Sequence, residues 1–408
     1  MSQTNTSRCP FEHIQNPDRE AKQIAETTDL TVKLLDKRYP PPKQILRGVH
    51  PKSHGCVKAT FTINPDIPSE LQVGLFAEPG KQYDAFIRFS NAAALVGPDI
   101  DISGRLKKPE EPDKHGSRGM AVKVLDVGGE VLIDDNGAHN QDFLMINQPV
   151  FAFANTEDYR RLDRVLDQQG DKPDGFFAPL QLQNPAFTEE QKRRIQAYIE
   201  AEDISEEDIQ RIRNSAGIIG QIQATLVANP LRIQYFSAAP FLFGSDRVMK
   251  FSAKPCAVVP PTEVPPVPLP DYLREALTET MNRNDVLHFD FMLQVRHEGE
   301  DFGIENEAIE NASSEWKESD YPFISVAKIT IPAPQPEVDS EENRAHCENL
   351  AFTPWHSLSE HQPIGSINRL RKSVYQASAE HRLDHALEPE SMPFFIRLLE
   401  KLFKSLFG

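Results

Sequence analysis

The chain reads as an α+β protein, with an antiparallel β-barrel or sheet and helices segregated from it. Three observations predict this. Short segments alternating apolar and polar residues dominate positions 56–146, helix-period segments fill 156–226, and strand alternation returns at 247–253, 286–297 and 323–331. No glycine-rich turn joins a strand to a helix in a dinucleotide-binding pattern, which argues against a nucleotide cofactor domain.

In chain order, residues 1–15 read as a mobile arm. Asn16-Pro17 starts a helix by cap and first-turn proline, and the run of prolines at 40–42 stops it after about Lys37. Val57, Ala59, Phe61 and Ile63 alternate with polar residues in a half-buried strand at 56–63. The strand at 84–90 has Ala85, Ile87 and Phe89 on one face and Phe86, Arg88 and Ser90 on the other. Further strands fall at 120–127 and 142–146, separated from 84–90 by a glycine- and proline-rich loop at 98–117. Helices are expected at 156–167, 188–202 and 206–226. Six prolines in 260–270 predict an extended strap. The clearest strand is 286–297, with Leu287, Phe289, Phe291, Leu293 and Val295 on one face, and the C-terminal quarter returns to helix at 365–387 and from 393 to the end. The domains expected are a flexible arm at 1–15, one large domain at 16–390 and an amphipathic helix at 391–408.

At 408 residues the chain can bury a large core. Its 61 acidic against 44 basic residues give a formal charge of −17, which disfavours nucleic acid as a partner. The four cysteines are scattered without a Cys-x-x-Cys pair, which suits a reducing compartment and removes zinc-ribbon and covalent c-type haem readings. The first twenty residues have no apolar run of the signal-peptide kind, and no stretch has the length and apolarity of a membrane span. A cytoplasmic protein is the expectation.

The chemistry-bearing residues begin with Arg47-Gly-Val-His50-Pro51, where the proline keeps His50 in an extended or turn conformation. Zinc hydrolysis by His50 and His54 is excluded, because Pro51 breaks the helix the pair would need and no glutamate lies between them. Arg88 shares a strand face with Ser90, and Arg118 enters the next strand. With Arg47 they make three arginines in strand contexts, suited either to buried ion pairs or to a carboxylate- or phosphate-bearing cofactor. Asn147 closes a strand, where an amide serves a turn or holds a peroxide oxygen. Arg371 and Tyr375 are i and i+4 on a helix, so a guanidinium can favour a phenolate, which is a hard ligand for ferric iron.

Taken together, these residues resemble the haem catalases, and more closely the shorter catalase-related haem proteins that include minimal catalases and catalase-like allene oxide synthases. The resemblance runs through Arg47-Gly-Val-His50, Arg88-Phe-Ser90, Arg118-Gly-Met-Ala-Val-Lys123, Asn147-x-Pro149-x-Phe151, Phe352-Thr-Pro-Trp355-His356 and Arg371-x-x-x-Tyr375, in the family's order over about residues 40–385. It implies an antiparallel β-barrel enclosing a haem pocket with helices outside, and haem b as cofactor. His50 would be the distal acid/base, Asn147 its partner in holding peroxide, and Ser90 the residue that orients the imidazole. Tyr375 would ligate the iron, the tyrosine ligation for which catalase is the familiar example, with Arg371 keeping it a phenolate. Arg47, Arg88 and Arg118 would serve the propionates or the network around Tyr375, with Val49 and Phe151 lining the cofactor.

The implied function is a haem-dependent oxidoreductase that reduces hydrogen peroxide or organic hydroperoxides through a ferryl intermediate, a peroxidase with weak catalase activity. The alternatives are a fatty-acid hydroperoxide isomerase or peroxygenase, and a haem-binding protein without turnover. Val49 is the catalase-type residue where the allene oxide synthases carry threonine. Departures from long catalases are Ser373 between Arg371 and Tyr375, Met120 after Arg118-Gly119, and the shorter chain. The tail repeats Phe394, Phe395, Leu398, Leu399, Leu402, Phe403, Leu406 and Phe407 on one face, suiting packing on the core or on a neighbouring subunit, or a membrane-surface foot at 392–408 that would reach lipid hydroperoxides. A monomer or homodimer is expected.

Overall fold

A computed structural model describes residues 9–108, 110–135, 137–256 and 263–385. The predicted tail helix therefore lies outside the described residues, as does part of the proline strap. The first helix, α1, spans Pro17–Arg38. Its N-cap Asn16 accepts from the Arg19 amide, and Pro17 occupies a position where no amide is needed. Strands follow at Ser53–Ile63 (β1), Gln82–Asn91 (β2), Arg118–Val124 (β3) and Gln141–Ile146 (β4). A helical stretch, Thr156–Gln169 (α2), Glu189–Ala201 (α3) and Glu206–Ala224 (α4), separates them from Tyr235–Phe236 (β5), Phe241–Leu242 (β6) and Arg247–Pro255 (β7). Then come Tyr272–Met281 (α5), Leu287–His297 (β8), Ile324–Ile331 (β9), Glu341–Asn349 (α6) and Ser366–Asp384 (α7).

The strands form one antiparallel sheet in the order β8-β9-β1-β2-β3-β4-β5-β7-β6, and an added β8–β7 pairing closes eight of them into a barrel. Closure removes the open edges that an eight-stranded sheet would otherwise expose. Alternation sends Val57, Phe61, Ile87, Phe89, Val122 and Phe143 inward, where they are buried. Phe291 anchors this interior, with ring centroids 4.6 Å from Phe143, 5.1 Å from Phe61 and 5.6 Å from Phe251. Truncating such a residue costs ~3–5 kcal/mol.

The structure fills the barrel interior with aromatic rings and turns Arg88, Ser90 and Gly119 outward. They are buried under the segment carrying His50 and under α6. The barrel is thus a packed scaffold, and the candidate site lies on its outer wall.

Helices α5 and α6, not expected from the sequence, cover β1 from outside. Helix α1 packs against α2 and α7. Gly365 starts α7 at φ 85°, and a Cβ there would stand 2.3 Å from the Ile309 carbonyl oxygen, so only glycine fits this entry. Among the described residues no helix is long and apolar enough to cross a membrane.

Candidate active site

His50 lies just before β1, in the left-handed region at φ 58°. A non-glycine residue there costs ~1–3 kcal/mol and must be held. Arg88 Nη2 donates to the His50 carbonyl at 2.9 Å, and Ser90 Oγ is 3.0 Å from Nδ1. Ser90 and Gly119 are cross-strand partners of the β2–β3 ladder, so register places both against the ring. Burial, followed by the charges of Arg88, Arg371 and Arg47, pushes the imidazole down to about 3. His50 is therefore neutral across physiological pH.

Asn147 follows β4. Its Oδ1 accepts from the Arg118 amide at 2.7 Å and from Ser117 Oγ at 3.2 Å. Those bonds fix the amide orientation and leave Nδ2 as a donor with no hydrogen-bond partner among the described residues. Arg118 itself points elsewhere. Its fully buried guanidinium donates to Asn91 Oδ1 and the Asp99 carbonyl, so its tie to the site runs through its backbone.

Tyr375 is on α7, whose N-terminal half is anchored by Trp355 Nε1 donating to the Asn368 carbonyl and by Asn368 Nδ2 donating to the Pro240 carbonyl, each at 2.8 Å. Arg371 donates to Asn368 Oδ1 at 3.1 Å and to Tyr375 Oη at 3.2 Å, with its guanidinium 5.6 Å from the Phe151 ring centroid. A second tyrosine, Tyr159 on α2, is within electrostatic reach of Tyr375 and is held protonated, chiefly by burial. One turn further along α2, burial raises Asp163 to about 7, partly offset by Arg38. The loop bearing His50 is tied to the same helix as Tyr375, since the Gly48 amide donates to Ser378 Oγ at 3.1 Å.

Arg47 and Arg88 meet Arg382 around Glu348 at the C-terminal end of α6. Arg47 and Arg88 both bond the Glu348 carboxylate, Arg88 at 3.3 Å. Arg47 also donates to the carbonyls of Cys347 and Leu350 at 3.0 and 2.7 Å, and Arg382 donates to those of Glu348 and Leu350. Three guanidiniums around one carboxylate, two of them bonded to it, leave an excess of positive charge, and Arg88 and Arg382 each keep a buried Nε without a hydrogen-bond partner. This arrangement suits further carboxylates, and the propionates of haem fit it. The sequence reading missed Arg382 and Glu348. Arg382 lies seven residues after Tyr375, two helical turns along one face, so the spacing alone could have nominated it. No sequence signal pairs Glu348 with Arg47, some three hundred positions away.

The structure thus brings His50, Ser90, Arg88, Asn147, Arg371, Tyr375 and Phe151 into one region. It gives Arg47 and Arg118 protein partners of their own. Val49, directly before His50, is 40% exposed.

An eight-stranded antiparallel barrel with this helical cover has the fold of the catalases. A fungal catalase superposes with TM-score 0.57 at 15% identity, covering 86% of this chain and 62% of that one. Catalase A from Saccharomyces cerevisiae gives 0.56 at 14%, covering 86% and 64%. A bacterial catalase gives 0.53 at 15%, covering 97% and 66%. A curated protein named catalase, from Aliivibrio fischeri, is 28% identical over 150 residues, which is 36% of this chain and 26% of the relative. The chain therefore spans less than two thirds of each of these four catalases. No family model matches it.

Proposed function

We propose that this chain is a haem-dependent oxidoreductase that reduces hydrogen peroxide or an organic hydroperoxide, acting as a peroxidase with weak catalase activity. One observation carries the reading. Arg371 hydrogen-bonds Tyr375 Oη and also lies close enough to His50 for its charge to depress the imidazole, so a neutral base and a tyrosine oxygen are both within reach of one guanidinium. Tyr375 would ligate haem iron, and Arg47, Arg88 and Arg382 would hold the propionates. When bound, the haem supplies the two-electron redox chemistry.

The protein's part is positioning and proton transfer. In the base tautomer, Nδ1–H donates to Ser90 Oγ and leaves Nε2 open. Nε2 accepts a proton from one peroxide oxygen and returns it to the other, which departs as water or alcohol. Asn147 Nδ2, its orientation fixed by Ser117 and Arg118, donates to a peroxide oxygen and holds it in line. Gly119 behind the ring and Ser90 beside it keep Nε2 directed at that oxygen.

The test is the absorption spectrum of the haem-loaded full chain, then stopped-flow mixing with hydrogen peroxide and with a fatty-acid hydroperoxide. A high-spin ferric spectrum that is lost in Tyr375→Ala, with rapid spectral change on adding hydrogen peroxide, supports the reading. Rearrangement of the lipid hydroperoxide without consumption of a reductant would replace it by hydroperoxide isomerisation. Failure to bind haem would end both.

A further inference from the structure

Two buried thiols lie outside the machinery just described. Cys56 is on the outer face of β1, paired in register with Arg88, and Cys347 is on the last turn of α6. They are 3% and 2% exposed. Asn343, one turn before Cys347 on α6, bonds the Cys56 backbone, the two thiols are within electrostatic reach of each other, and Ser53 Oγ stands 3.8 Å from Cys347 Sγ. The backbone at each is pinned, by Asn343 Nδ2 donating to the Cys56 carbonyl at 2.9 Å and by Arg47 Nη2 donating to that of Cys347 at 3.0 Å. Neighbouring thiols on pinned backbones need little movement to bond covalently.

We propose that Cys56 and Cys347 form a dithiol site that reduces a hydroperoxide and closes to a disulfide, a peroxide chemistry separate from that at Tyr375. The environment assigns the roles. Ser53 Oγ, 3.8 Å from Cys347 Sγ, is placed to donate to a thiolate there, and the neighbouring Cys56 thiol, then the charges of Arg88 and Arg47, lower Cys347. Cys347 is the attacking thiolate, because lowered thiols next to arginine are the reactive ones. It attacks one peroxide oxygen. The S–O bond forms as the O–O bond breaks, and the departing oxygen takes the proton Cys347 released and leaves as water or alcohol. Cys56 then attacks the sulfenic sulfur, and an S–S bond replaces the S–O bond as the hydroxyl leaves with the Cys56 proton as water. Two electrons pass from the thiols to the peroxide, and a low-molecular-weight thiol or a dithiol reductase restores the pair. Because Glu348 directly follows Cys347, closure fixes the turn of α6 that bears Glu348 against β1, beside Arg88.

The test uses the full chain and its Tyr375→Ala variant, each mixed with an equimolar amount of hydrogen peroxide at neutral pH. Remaining thiols are alkylated after unfolding and mapped by mass spectrometry without reduction. The expected product is a Cys56–Cys347 peptide, reversible with dithiothreitol, in both proteins. Cys347 should be lost at least about tenfold faster than Cys256, whose thiol is raised to about 11 chiefly by burial. Cys56→Ser should stop at a sulfenic acid on Cys347 that dimedone captures. Cys56 and Cys347 both remaining alkylatable once Cys256 has reacted would overturn the proposal, as would a Cys56→Ser variant with no trapped sulfenic acid. Persistence in Tyr375→Ala keeps this result distinguishable from failure of the haem reading.

Discussion

A Cβ placed on Gly119 would stand 2.4 Å from Nδ1 of His50, so the imidazole lies directly against the β3 backbone. The same Cβ would be 2.8 Å from Ser90 Oγ, which leaves the ring no way to yield without losing its hydrogen bond. Gly119→Ala is expected to displace the imidazole by a fraction of an ångström to an ångström. Peroxide turnover should fall about 100-fold, the size of effect that such misplacement brings. Haem content and far-UV circular dichroism should stay at wild-type levels. Wild-type turnover in Gly119→Ala would show that the ring position does not matter.

The barrel was legible because its strands alternate strictly, as at Phe61 and Phe291, and because helices and strands occupy separate blocks. The positions of His50, Ser90, Asn147 and the Arg371–Tyr375 pair were legible at strand ends and on one helix face, while the roles expected of them came from the resemblance and not from those patterns. The outward placement of the site was not legible. Alternation says that Ile87 and Arg88 face opposite ways, but it does not say that α6 and the His50 segment will bury the second face too. Helix α6 itself was missed because Glu341–Asn349 has only Cys347 buried and shows no apolar stripe. With it went Glu348, and hence the reason Arg47 and Arg88 can be buried at all.

Stability should carry the mark of histidines that stay neutral in the native state. His50 is pushed down to about 3 and His361 to about 4, each chiefly by burial, and His54 well below its usual value. His361 Nε2 accepts the Leu75 amide at 3.1 Å, a bond that protonation would break. Above pH ~6.5 neither state binds these protons, so the full stability is present. As pH falls below that, the unfolded chain takes up protons that the native state refuses, and stability is lost down toward the folded values. Asp163, raised to about 7, pulls the other way through the same window. The measurement is therefore a difference: the urea midpoint of wild type should drop more between pH 6.5 and 5 than that of His361→Gln. Parallel pH profiles would refute the assignment.

Glu348→Gln removes the carboxylate between Arg47, Arg88 and Arg382 and leaves three guanidiniums facing one another. The carboxylate side chain is 22% exposed, so the loss should be below that of a fully buried pair, about 2–3 kcal/mol. If the arginines hold haem propionates, adding haem should recover more thermal stability in Glu348→Gln than in wild type. Equal increments on haem addition in the two proteins would place the propionates elsewhere.

Arg371 separates charge from geometry at the other end of the site. Its guanidinium bonds Asn368 Oδ1 and Tyr375 Oη at once while stacked near Phe151, a task for a planar fork that a lysine ammonium cannot match. Arg371→Lys keeps the positive charge and loses the paired geometry, whereas Arg371→Met loses both. Helix α7 should persist in each, because Trp355 and Pro240 still anchor Asn368. Haem affinity should fall in both variants, by about tenfold in the lysine variant and more in the methionine variant, as loss of a charged hydrogen bond of ~1.5–3 kcal/mol implies. The His50 imidazole adds a second, independent readout, since Arg371 is among the charges that depress it. Titrated by nuclear magnetic resonance, His50 should rise toward its ordinary value in Arg371→Met and stay low in Arg371→Lys. A His50 titration unmoved in both variants would mean that Arg371 serves Tyr375 alone, and the reach of one guanidinium to both base and tyrosine would have to be given up.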